Sequence, residues 1–176
     1  KSFIKLSKID ISKLYPKIKE ANFIVAVDVN NPLTGKNGAS YVFAKQKGAN
    51  PSDLAYIDDL ISHFADICSQ TVSKDSRNIP GSGAAGGLAY GLAQFLNAKI
   101  VNGFDLIANI IELEKKIIDA DIIITGEGSF DIQSLSGKAP FQIAKLAKKH
   151  NKECILLAGI IDNNADTKKY FTEAIS

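Results

Sequence analysis

The sequence contains no methionine, and only two cysteines and two histidines among its 176 residues. With Lys1 first, the absence of methionine leads to the expectation that further sequence precedes it. Cys68 and Cys154 lie far apart inside apolar patterns. They read as two buried free thiols rather than a disulfide or redox site, which fits a reducing compartment. His63 and His150 have no third partner at metal or triad spacing, so both are read as structural, His150 as a cap near a helix C-terminus. No run is long enough to span a bilayer, and the longest nearly apolar one, residues 154–161, reads as a buried strand and its exit. A signal-peptide pattern, an internal repeat and low-complexity tracts are also lacking. Charge of one sign is not in excess either. The 21 basic and 19 acidic residues leave +2, too little to point to nucleic acid or an anionic membrane.

What is present suits a folded domain. Hydrophobic residues make up 45% and charged residues 23%, close to the globular average, in a length that suffices for one domain or parts of two. Residues 3–6 are expected to form a strand, and 12–21 a short helix or irregular connection. The run 23–29 reads as a buried strand ended by Asn30-Asn31-Pro32. Pro51 opens a helix in which Leu54, Ile57, Ile61, Phe64 and Cys68 recur every three or four residues and so share one face. A glycine-rich segment, 80–87, leads into a second helix with Leu88, Leu92, Phe95 and Leu96 as its apolar stripe. A short strand is expected at 99–102, and a helix over 105–118, broken near Leu113. Strands at 121–125 and 153–158 flank a helix over 140–150. That strand–helix–strand order predicts a parallel sheet with a right-handed crossover. The fold class is therefore α/β: an α+β-like domain over residues 1–110, followed by part of a Rossmann-like parallel α/β domain over 111–176.

Three segments carry candidate chemistry. In the first, Asp28 ends a buried strand and precedes a polar, glycine-punctuated loop. Ligands of open α/β sheets bind outside the carboxyl ends of strands, so Asn31 and Thr34 become candidates for binding a hydroxyl or carboxylate, and Asp28 for a sugar-acid hydroxyl or a metal. The competing reading is a turn in which Asn and Gly only supply left-handed geometry. In the second, Gly81, Gly83 and Gly86 stand ahead of a helix, where backbone N–H groups can meet an anion. They satisfy G-x-G-x-x-G literally, but the polar residues 73–79 make a poor preceding strand, so the dinucleotide-binding context fails. Gly87 occupies the place of the lysine that a Walker A loop requires. Close packing through small residues is the competing reading here.

The third segment, 125–138, is the most informative. A buried strand is expected to end in a loop bearing Glu127 and Asp131, with Gln133 close behind. Lys138 follows at the start of the 140–150 helix. A cation there opposes the helix dipole and calls for a negative partner, for which phosphate is a candidate. Carboxylates for Mg²⁺ and a lysine for phosphate are the parts that phosphoryl transfer needs. A solvated polar loop is the alternative.

Taken together, these segments resemble the bacterial glycerate kinases. The resemblance rests on D-V-N-N-P-L-T-G at 28–35, F-A-K-Q-K-G-A at 43–49, P-G-S-G-A-A-G-G-L at 80–88, T-G-E-G-S-F-D-I-Q at 125–133 and G-K-A-P at 137–140. It covers nearly the whole chain, with the motifs in order and spacing. It implies ATP- and Mg²⁺-dependent phosphorylation of D-glycerate in the cytoplasm, with 2-phosphoglycerate the favoured product. It also implies a second domain inserted into a Rossmann-like one, the N-terminal and C-terminal parts lying outside this chain, so that the chain alone is expected to be inactive. Glu127, Asp131 and Lys138 map as catalytic candidates, with Glu127 and Asp131 also as metal candidates. Asp28, Asn31, Gly35, Gly81, Gly83, Gly86 and Gln133 map as substrate or phosphate binders. Against this stands a non-catalytic nucleotide- or sugar-acid-binding module, which would have no use for the Glu127, Asp131 and Lys138 cluster.

Overall fold

A computed structural model describes residues 3–162 and 164–176. The chain divides into two compact units, Lys1–Gly103 and Phe104–Ser176, ahead of the boundary at 110 read from the sequence. Among the described residues no helix is long and apolar enough to cross a membrane.

The first unit is built on two parallel strands, β1 (Ile24–Val27) and β2 (Lys99–Asn102), paired from Ile24 with Lys99 to Val27 with Asn102. Between them run the short α1 (Ala39–Phe43), the long α2 (Leu54–Val72) and α3 (Ala84–Leu96). The expected strand at 3–6 is instead a 3-10 turn, Phe3–Lys5. Phe3 stacks edge-on against Phe64 at 5.3 Å, so an aromatic contact with α2, not a sheet neighbour, fixes this segment.

The face of α2 expected from the sequence is the one that packs. Leu54 and Cys68 are buried, and Ile61 and Phe64 lie against the cluster of Leu33, Ala65, Cys68 and Tyr90. For α3 the expected stripe is rotated. Leu88 is 62% exposed, while Ala89, Tyr90, Ala93 and Gln94 are buried. Ala85, Gly86 and Gly87 all adopt left-handed φ, so the regular helix starts late and turns a different face inward. Gln94 is buried usefully: its Oε1 accepts the Ser76 N–H at 3.0 Å, and its amide donates to the Lys74 carbonyl. Arg77 pairs with Asp66 at 2.6 Å and Asp75 at 2.7 Å, so residues 73–79 are held by side chains and form no strand.

The second unit contains α4 (Gly103–Ile110, which begins at the divide), α5 (Leu113–Asp119), β3 (Ile122–Phe130), α6 (Ala139–Lys149), β4 (Glu153–Ile161) and β5 (Glu173–Ile175). The three strands lie in the order β3-β4-β5, all parallel. The break expected near Leu113 falls at Ile111 and Glu112, the latter in the left-handed region at φ 52°. The core joins Ile117, Ile123, Phe130, Ala144, Ala147, Cys154, Leu156 and Phe171. Phe130 meets Phe171 edge-on at 5.4 Å, and each large buried side chain contributes about 1.5–3 kcal/mol. Both cysteines are buried free thiols, as expected, and burial pushes the Cys154 thiol up to about 11.

The other face of this sheet is bare. Ile122, Ile124, Leu157 and Ile175 are exposed, by 45% to 65%. Parallel sheets normally have both faces covered, which makes this apolar surface a feature to be accounted for.

Candidate functional site

Strand β3 runs further than its sequence suggests. Glycines at 126 and 128 read as the start of a loop, yet pairing with β4 continues from Ile122–Glu153 to Phe130–Ile161. A Cβ on Gly126 would stand under 3.0 Å from the Leu157 carbonyl oxygen of β4, so this glycine marks a close approach of backbones inside the sheet. Glu127 therefore sits within a strand, not on a loop. Its side chain falls on the same face as Ile123, the face that α6 covers, and is only 16% exposed.

Four side chains meet there. Lys138 Nζ donates to Ser134 Oγ at 2.9 Å and to Glu127 Oε2 at 3.3 Å, and stands 3.8 Å from Asp131 Oδ1. Ser134, fully buried, is the centre of the network. Its Oγ donates to Asp131 Oδ1 at 3.0 Å and accepts the Asp131 N–H at 3.1 Å, and its own N–H donates to Asp131 Oδ1 at 2.8 Å. Lys138 occupies the N-cap position of α6, where a cation opposes the helix dipole. Glu127 and Asp131 supply the negative charge that this placement requires and, as two carboxylates against one ammonium, leave the cluster with an excess of negative charge. One polar atom is left over: Glu127 Oε1 is buried without a hydrogen-bond partner. Gln133 is exposed beside the cluster.

The Ser134 N–H, helped by the Ser134 hydroxyl and Lys138, holds the Asp131 carboxyl below the ordinary aspartate value of 3.8. A folded value below the unfolded one contributes stability that is present above the unfolded value and lost as pH falls through the folded one. A carboxyl-carbon NMR titration should place the Asp131 midpoint below 3.8, and Ser134→Ala should move it back up. A midpoint at or above 3.8 in the unsubstituted protein would contradict this geometry.

In the first unit, Asp28 follows directly on β1 at the strand's carboxyl end and is exposed, as expected. Several of its companions serve the loop itself. Asn31 donates its side-chain amide to the Asn37 carbonyl at 2.8 Å. Gly35, at φ 88°, donates its N–H to Asp58 Oδ2 at 2.9 Å. Gly83 N–H donates to the Asn31 carbonyl at 2.9 Å, and Gly86 N–H to the Gly83 carbonyl at 3.1 Å. The N–H groups of Gly83 and Gly86 are thus bonded within the loop itself. Packing also requires two of these glycines: a Cβ on Gly81 would collide with Val27 and Ile100, and one on Gly83 with the Pro32 carbonyl.

Glu127, Asp131 and Lys138 are brought together in the second unit. Asp28, Asn31, Gly81, Gly83 and Gly86 are gathered at the β1 end of the first. Ser134 was missed by sequence reasoning, although the Asp131-x-x-Ser134 spacing is that of a side chain closing on backbone N–H groups.

The chain matches the glycerate kinase family over residues 1–176. It is 41% identical to glycerate 2-kinase of Escherichia coli (strain K12) over 159 residues, 90% of this chain and 42% of that protein. It is 41% identical to glycerate kinase of Bacillus subtilis (strain 168) over 162 residues, 91% of this chain and 42% of that protein. A crystal structure assigned as glycerate kinase 2 from Salmonella typhimurium LT2 superposes with a TM-score of 0.78 at 36% identity, covering 98% of this chain and 44% of that one. The chain thus spans about 42% of the length of these curated relatives.

Proposed function

The chain belongs to the glycerate kinase family, and on that premise we propose that it is a segment of a cytoplasmic enzyme that transfers the γ-phosphoryl group of ATP to D-glycerate, giving 2-phosphoglycerate. The observation that carries this reading is the Lys138–Ser134–Asp131–Glu127 network with its unpartnered Glu127 oxygen.

In this reaction a glycerate hydroxyl oxygen forms a bond to the γ-phosphorus, and the bond from that phosphorus to the bridging oxygen of ADP breaks. The hydroxyl proton must leave. Asp131 is held in its charged form by Ser134, which weakens it as a base. Glu127 keeps one oxygen on Lys138 and presents the other without a partner, so we assign the proton to Glu127 Oε1. Lys138 holds both carboxylates in place and carries the positive charge that the transferred group meets. We assign Asp28 and Asn31 to the acid substrate, and Gln133, exposed beside the cluster, to a phosphoryl oxygen.

A magnesium ion fits this donor set. Among the described residues no group of three or more metal-ligating side chains stands together. Magnesium characteristically takes one or two carboxylates and completes its shell with phosphate oxygens and water. Asp131 would hold it, and bound there it would offset the charge of the phosphates.

The bare apolar face of β3, β4 and β5 supports the reading that the remaining length of the protein completes the second unit. Glycerate-dependent ADP release from ATP and Mg²⁺ tests the proposal, with a full-length protein carrying this segment assayed beside the 176-residue chain. Turnover is expected for the full-length protein alone. A well-folded full-length protein that ignores glycerate would return the assignment to a non-catalytic sugar-acid-binding module.

A further inference from the structure

Residues 43–49 carry part of the family resemblance, yet nothing above gives Lys47 a role. Two cavities in the first unit share Phe43, Lys47 and Gly86 in their linings. The larger, about 330 Å³, also takes in Asp28 and Gln46; the smaller, about 190 Å³, takes in Ser40. Ser40 is 2% exposed, and its hydroxyl is buried with no hydrogen-bond partner. A buried hydroxyl left unpaired is unfavourable unless something that enters the cavity pairs with it. Among the described residues Lys47 has no ion-pair partner.

Gly86 differs from its neighbours in the glycine-rich segment. A Cβ at Gly81, Gly83 or Gly87 would run into Val27, Pro32 or Leu33. At Gly86 it would meet only the Lys47 ammonium, 3.3 Å away. Gly86 is itself left-handed at φ 71°, a conformation that favours glycine. The missing side chain keeps the space over the lysine's amine open. An exposed ammonium without an ion-pair partner stands between a cavity that holds an unpaired buried hydroxyl and one that holds a carboxylate, an arrangement suited to a small hydroxy acid. The volume is at the low end for ligand pockets and suits a three-carbon acid better than a nucleotide.

We propose that Lys47, which lines both cavities, and Ser40 in the smaller one bind the carboxylate of glycerate, with Asp28 in the adjoining larger cavity accepting a substrate hydroxyl. This rests on the glycerate reading above and adds which residues recognise the acid group.

The test is steady-state kinetics of the full-length protein and its Lys47→Met, Lys47→Arg and Ser40→Ala variants. Glyceramide, the neutral amide of the substrate, serves as a second acceptor. Lys47→Met should raise the KM for D-glycerate about 10- to 100-fold, the range of a charge-assisted hydrogen bond, and leave the KM for ATP unchanged. The preference for glycerate over glyceramide should shrink by a similar factor. Lys47→Arg should restore part of the affinity, and Ser40→Ala should cost about 2- to 10-fold. A rise in the KM for ATP instead would assign the cation to nucleotide phosphate and overturn the proposal. So would unchanged constants for both substrates, while leaving the kinase reading intact. If the unsubstituted protein shows no glycerate turnover, the kinase reading fails separately. Calorimetric titration with D-glycerate then decides: binding lost in Lys47→Met upholds the subsite, and absence of binding overturns it.

Discussion

Replacing Lys138 with alanine in the full-length protein should lower glycerate-dependent ADP formation by about 10²- to 10³-fold, the usual cost of removing one positioned charge-stabilising donor. Lys138 holds Glu127 Oε2, Ser134 Oγ and Asp131 together, so its loss leaves two carboxylates close to one another without a counter-charge. Glu127, at 16% exposed, is the more affected of the two. Without the ammonium, Glu127 Oε2 loses the bond that fixes its carboxylate, and the other oxygen is no longer held in position for the substrate proton. The loss should therefore fall on kcat. Lys138→Arg should recover little, because the compact ammonium sits on a single hydroxyl and a single carboxylate oxygen, a geometry that a planar guanidinium does not reproduce. Stopped turnover and a thermal melt on the same preparation separate the effects. A kcat unchanged in a folded Lys138→Ala protein would remove Lys138 from the mechanism.

The second large effect concerns stability. Gly83→Ala should destabilise the first unit by about 3 kcal/mol, the upper part of the range for forcing extra volume into a close-packed site. The added Cβ would press on the Pro32 carbonyl, and the Gly83 N–H bond to the Asn31 carbonyl would be strained with it. Backbone, not a flexible side chain, is what would have to give. Gly128→Ala is the control: its φ is ordinary, no atom lies within 4 Å of its Cβ position, and its stability should be nearly unchanged. Urea unfolding of both variants in the full-length protein measures the difference. If Gly83→Ala unfolded at the same urea concentration as Gly128→Ala, the packing account of this glycine would be wrong. A purely ligand-binding glycine would instead lower affinity with stability intact.

Much of the element inventory was legible because it depends on local periodicity. The three- to four-residue spacing from Leu54 to Cys68 is the buried face of α2. The apolar runs at 121–125 and 153–158 lie in two paired parallel strands, as the strand–helix–strand order required. The structure departs from the local pattern where a distant segment, or an unusual backbone conformation, overrides it. Gly126 and Gly128 look like a strand's end, but Gly126 instead lets β4 come close, and β3 continues through it. Leu88 fits a helical stripe, but three left-handed residues before it rotate α3 and leave it in solvent. Phe3 belongs to an apolar opening that reads as β, but its ring is taken by Phe64.

The sequence by itself determined the α/β class, the parallel pairing in the second unit, and the family, through five motifs that keep their order. It also placed Glu127, Asp131 and Lys138 in one segment, with Lys138 eleven positions after Glu127. Only the tertiary structure decided what answers each polar group: that Ser134 stands among those three, that the N–H groups of Gly83 and Gly86 are already bonded, and that Ser40 and Lys47 share a cavity wall. The reason is physical. Helix and strand formation follow from periodicity and propensity within a short stretch of chain. Hydrogen-bond partners and the space beside a glycine are set by backbone and side chains that packing brings in from elsewhere.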